Sequence, residues 1–118
     1  MRIEKRKSAA SVSYFCYLGT MVEFKFSEYG SDFGTRDMGQ KLREKLLPLI
    51  NGNDKVVLDF TGVNVVSNSF ADECIAKLLL EMPLAELKRR TTFRGLNPLA
   101  ERSVLVALQR RYKVLTEK

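Results

Sequence analysis

Residues 55–82, KVVLDFTGVNVVSNSFADECIAKLLLEM, restrict the fold more than any other part of this chain. The stretch opens with Lys55, Val56, Val57, Leu58, Asp59 and Phe60, which are rich in β-branched residues and lack helical spacing. That pattern predicts a strand buried on both faces. Thr61 and Gly62 break it, and after Val63, Val65 and Val66 come Ser67, Asn68 and Ser69. Phe70, Cys74, Leu78 and Met82 then recur at intervals of four, the apolar face of an amphipathic helix. Ser69 stands where an N-cap belongs, Asp72 suits the back-bonding partner of a capping box, and Glu73 adds negative charge to the first turn. Strand, glycine turn, paired serines and capped helix in one stretch put the serines at the mouth of a sheet.

The flanking chain supplies further strands and helices. Val22, Phe24 and Phe26 alternate with Glu23 and Lys25 in the manner of a half-buried strand. Residues 27–37, SEYGSDFGTRD, read as a loop, and loops of this kind often face a ligand or partner. Asp37 is the expected cap of a helix with Met38, Leu42, Leu46 and Leu49 on one face, ended or kinked at Pro48. Asn51, Gly52, Asn53 and Asp54 form a turn into the central strand. Beyond Pro83, residues 84–90 predict a short helical segment and residues 91–96 a strand. Asn97 and Pro98 have the preferred residue types for N-cap and first helical position. That helix is expected to reach about Arg111, with Leu99, Val104, Leu108 and Tyr112 as core contacts, followed by a short edge strand over residues 112–115. Residues 1–20 read as a basic leader or as an extra strand over 12–18 that pairs with the strand after Thr20. Strands alternating with helices at these lengths call for parallel pairing and right-handed crossovers. An α/β domain over residues 21–118 follows.

Composition bounds the chemistry. A chain of 118 residues, 45% apolar, can bury one real core but not two, and no apolar run approaches the roughly 20 residues of a membrane span. Cys16 and Cys74 fit no metal or redox spacing and read as two reduced thiols of a cytoplasmic protein. Histidine is absent, which removes the commonest general base and metal ligand. No glycine-rich phosphate loop is present, and Asp72 and Glu73, being adjacent on a helix, point in different directions and make no acid–base pair. A nucleophilic Ser67 or Ser69 lacks an activating base. Net charge is +6, and residues 86–118 hold nine Lys and Arg against three acids, which suggests an acidic partner. Lys88, Arg89, Arg90, Arg94, Arg102, Arg110 and Arg111 motivate an alternative, a small basic nucleic-acid-binding or accessory protein. They show little aromatic interleaving and no reading motif, so ordinary solvated charge is the simpler account.

The order strand, Leu58-Asp59-Phe60, Gly62-Val63, Val65-Val66, Ser67-Asn68-Ser69, helix resembles the STAS domain, the fold of bacterial anti-sigma factor antagonists. It is more closely similar to STAS-like relatives whose turn runs Ser-x-Ser-Phe-Ala-Asp-Glu. The resemblance covers roughly residues 22–112. It implies a mixed, mainly parallel β-sheet of about four or five strands with helices packed against it. In the antagonists the turn reads Asp-Ser-Ser-Gly, and a histidine-kinase-type ATPase phosphorylates its second serine. That serine falls on Ser69, with Ser67 in place of the Asp and Phe70 in place of the Gly. The family also implies that Asp59 braces the turn after its strand, and STAS-like relatives tend to carry an arginine where Arg36 stands, before the first helix.

A non-catalytic, cytoplasmic protein-interaction module is therefore expected, a regulatory switch that docks on a kinase/ATPase-type partner or an anti-sigma factor. Ser69 is the expected phosphorylation site. Ser67, Asn68, Phe70, Asp72 and Arg36 make the expected partner-binding surface, and neither metal nor cofactor is called for. A phosphate at a helix N-terminus can be held without melting the helix while changing the surface a partner reads. For Ser69 the alternative reading is a helix cap contributing about 1 kcal/mol and no more.

Overall fold

Parallel pairing around the predicted central strand sets the architecture. A computed structural model describes residues 20–117. β1 (Met21–Lys25), β3 (Lys55–Asp59) and β5 (Thr91–Arg94) form a parallel sheet in the order β1-β3-β5, with Phe24 opposite Leu58 and Leu58 opposite Phe93. β2 (Asp32–Phe33) and β4 (Val65–Val66) make a second, two-residue parallel ladder inside loops that flank the first helix and the central strand. The described residues form five strands, three in the main parallel sheet and two in the separate ladder, where one sheet of about four or five was expected. The expected strand over residues 12–18 and the alternative leader lie outside the described residues.

β3 is buried from Val56 to Asp59, as its run of β-branched residues demands. Its neighbour β1 ends at Lys25, and Phe26 opens a 3-10 turn, Phe26–Glu28, that directs its ring inward. Phe26 stacks on Phe60 with ring centroids 4.0 Å apart, and Phe33 stacks on Phe70 at 4.9 Å. These four rings are fully buried and join Leu42, Leu46, Ile50, Leu58 and Leu78 in a single core.

α1 (Arg36–Gly52) differs from expectation at both ends. Thr35 Oγ1, not Asp37, accepts the cap hydrogen bond, from Met38 N at 3.2 Å. Pro48 neither ends nor terminates the apolar face: the helix runs on to Gly52 because Leu46 and Ile50 on either side of it are anchored in the core. One lost intrahelical bond is outweighed by that burial. α2 (Asn68–Cys74) is short and passes through Ile75 into a 3-10 turn, Ala76–Leu80. The four-residue spacing survives the change of helix type, since Phe70, Cys74 and Leu78 are all fully buried.

α3 (Leu84–Arg90) and β5 follow as predicted, β5 ending at Arg94. Gly95, at φ +76°, then turns the chain against Thr61, where a Cβ would sit 2.3 Å from Thr61 Oγ1 and 2.6 Å from its backbone N. Only glycine fits there. Asn97 caps α4 (Pro98–Thr116) by accepting from Ala100 N at 2.8 Å. α4 continues through residues 112–115, so the expected edge strand is absent. Its buried residues are Ala100, Val104 and Ala107, small enough for close approach to α2, while Leu99 (78% exposed) and Tyr112 (47%) face outward instead of into the core. Among the described residues no helix is long and apolar enough to cross a membrane.

Candidate functional site

The serine turn lies where β4 gives way to α2, and its two serines have separate jobs. Ser67 is the N-cap: its Oγ accepts from Phe70 N at 3.0 Å, and the helix starts at Asn68. The expected cap at Ser69 is therefore corrected. Both serines satisfy the local preference, but burial of Phe70 against Phe33 fixes the helix start two residues earlier. Ser69 becomes an exposed residue of the first helical turn, and its hydroxyl makes no hydrogen bond among the described residues. Asn68 is also exposed. Phe70 is fully buried and supports the turn from beneath, so it offers no surface to a partner.

Asp72 does not complete a capping box. It accepts from Arg36 at 2.9 Å and from Arg111 at 2.7 Å, joining the first turn of α1, α2 and the last turns of α4. Burial works to raise its carboxyl and is outweighed by the hydrogen bonds from Arg111 and Arg36, which hold it below the usual carboxylate range. Glu73, 6% exposed, is not the expected first-turn charge, because α2 starts at Asn68 and its first turn holds no acid. Arg43 at 2.9 Å, Lys77 at 3.0 Å and Arg36 at 3.3 Å surround its carboxylate, and Arg43 also donates to its carbonyl oxygen. Here too burial raises the carboxyl, and the hydrogen bonds from Arg43, Lys77 and Arg36 lower it on balance.

These ties hold α1 close along α2. Gly39 marks the crossing, because a Cβ there would lie 2.9 Å from Glu73 Cβ and 3.1 Å from the Phe70 carbonyl. Sequence reasoning missed the network, although the Glu73–Lys77 spacing of four and the arginine at 43 beside Leu42 and Leu46 are its only local traces.

Arg36, Asn68, Ser69 and Asp72 line one cavity of about 330 Å³, closed on its other side by Val106, Ala107, Arg110, Arg111 and Val114 of α4. Four of the expected site residues are thus brought together, Ser67 sits behind them as the cap, and Phe70 lies in the core. Arg110 and Arg111 belong to the site without having been singled out for it; from sequence they were part of a basic third. On the sheet, Asp59 Oδ1 accepts from Thr61 N at 2.9 Å, bracing the turn after β3. Among the described residues no cluster of Cys, Asp or Glu could hold a metal ion.

Residues 38–100 match the family described as STAS-like domain of unknown function (DUF4325), a span that includes the serine turn and leaves Arg36, Arg110 and Arg111 outside it. No curated protein and no solved structure matches the chain. Since the match covers more than half of the 118 residues and the fold is a parallel α/β sheet with helices against it, the chain belongs to the STAS-like family.

Proposed function

We propose that this chain is a non-catalytic interaction module of the anti-sigma factor antagonist type, a cytoplasmic switch that docks on a kinase/ATPase-type protein through its serine turn. The observation that carries this reading is the exposed hydroxyl of Ser69, without a hydrogen bond among the described residues, in the first turn of a helix whose own cap is Ser67. Phosphorylation of Ser69 adds about two negative charges without removing the cap, so the fold persists while the docking surface changes. Catalysis resides in the partner. In support, the chain has no histidine, and Asp72, the carboxylate nearest to hand in the cavity, is held by two guanidiniums that make it a weak base.

The nucleic-acid reading gains nothing from the geometry. Arg89 and Arg90 are paired with Glu86, Arg94 with Glu23, and Arg111 with Asp72, so most of the cations that motivated it are already engaged.

The test is direct. The chain is incubated with ATP and a protein from the same genome carrying a histidine-kinase-type ATPase domain, and any phosphate is mapped by mass spectrometry. Incorporation at Ser69 that Ser69→Ala abolishes is expected; incorporation at another residue, or none with every such partner, refutes the switch.

A further inference from the structure

The cavity beside Ser69 carries an unbalanced charge. Among the described residues, Arg36, Arg110 and Arg111 line it, against Asp72 as the one carboxylate in its wall. Glu73, which also touches Arg36, is already answered by Arg43 and Lys77. Three guanidiniums against one carboxylate leave two positive charges in excess. Arg110 in particular has no acidic partner among the described residues, while Arg111 is shared with Asp72. Val106 and Val114 complete the wall, and Arg36 and Arg110 are exposed at its mouth, open to a ligand from solvent.

An excess of two charges matches the roughly −1.5 to −2 of a phosphate monoester near neutral pH. Guanidinium forks also suit its oxygens in bidentate fashion. We infer that this cavity is a receptor for a phosphate monoester, and that the phosphate it takes is the one carried by Ser69, whose side chain is in its wall. The inference rests on the reading of Ser69 as the modified residue and adds what the modification does. Transfer of the γ-phosphoryl of ATP forms the Ser69 Oγ–P bond, breaks the bond to the bridging oxygen of ADP, and releases the hydroxyl proton to solvent.

The new phosphate then turns toward Arg110 and Arg111, competes with Asp72 for Arg111, and ties α2 to α4. The switch works by filling the cavity and removing its cationic surface from the partner, not by presenting a bare negative charge.

Phosphoserine incorporated at position 69 during synthesis tests this without any kinase. The second ionisation of the phosphate, near pH 6 when exposed, is followed by ³¹P NMR in the folded chain and in the same chain unfolded in urea. In the folded chain it is expected to fall by about one pH unit, a tenfold change in the ionisation constant. Arg110→Gln is expected to remove about half of that shift and Arg110→Gln with Arg111→Gln nearly all of it; retention of native far-UV circular dichroism marks the variants as folded. Equal values in the folded and unfolded wild type overturn the inference, as does a shift that both variants leave intact. Failure here leaves phosphorylation by a partner standing, and failure of the partner reaction leaves this result standing.

Discussion

Replacing Glu73 by Gln removes one charge from a carboxylate whose side chain is 8% exposed and leaves three cations facing it. Stripping one partner from a buried ion pair costs about 3–5 kcal/mol. Arg36, 54% exposed, and Lys77, 30% exposed, can recover water, whereas Arg43 is 21% exposed and also bound to the Glu73 carbonyl. The uncompensated charge therefore falls mainly on Arg43, and a loss of about 2–3 kcal/mol is expected. Asp72→Asn leaves the well-exposed Arg36, which rehydrates, and Arg111, which lines the open cavity and, unlike Arg43, has no second bond to a backbone carbonyl, and is expected to cost about 1 kcal/mol. If the two acids acted only on the helix dipole, each would contribute about 0.3–1 kcal/mol and the two would be alike. Urea unfolding followed by circular dichroism at pH 7 separates these accounts, because with a slope of roughly 1–3 kcal/mol/M the Glu73→Gln midpoint falls by about 1–2 M. A Glu73→Gln loss no larger than that of Asp72→Asn refutes the buried-network account.

Ser67→Ala should lose about 1 kcal/mol with the cap hydrogen bond, and Ser69→Ala less than about 0.5 kcal/mol; the reverse order in chemical denaturation would return the cap to Ser69. Gly95→Ala places a Cβ against the Thr61 backbone at positive φ and should cost about 2–4 kcal/mol, read as a thermal midpoint lower by roughly 10 °C, with an unchanged midpoint as the contrary result. Asp59, Asp72 and Glu73 are all lowered in the folded chain, so their contribution is complete above the unfolded carboxylate pKa of about 4 and is lost as pH falls through the lower folded values. Urea midpoints should be level between pH 7 and 5 and drop toward pH 3; a level or rising midpoint at pH 3 contradicts the assignment.

What the sequence discloses depends on whether a rule is local. The strand at residues 55–60, the Asn97 cap and the four-residue spacing from Phe70 to Leu78 rest on burial patterns and residue types that need no distant partner, and each is found in the fold. Pro48 is a local signal that lost to tertiary contact, because the core holds Leu46 and Ile50 on both sides of it. Residues 112–115 read as a short edge strand, yet Arg111 clasps Asp72 and Leu108 and Leu115 pack on the core, so the helix continues. Two serines separated by Asn68 met the same capping preference, and only the burial of Phe70 decided between them. The cavity was least legible: Arg36 and Arg111 reach Asp72 from 36 and 39 residues away, a juxtaposition that only the helix arrangement creates.

Partner affinity of the wild type against Ser69→Asp bears most directly on the claim that this turn is the recognition surface. Ser69 lies in the first turn of α2 and does not cap it, so the added carboxylate is tolerated there and stability should change by less than about 1 kcal/mol. By isothermal titration with the ATPase-domain protein proposed as its partner, the dissociation constant should rise by about tenfold or more, a loss of about 1.4 kcal/mol. Equal affinity of the two proteins would contradict the account.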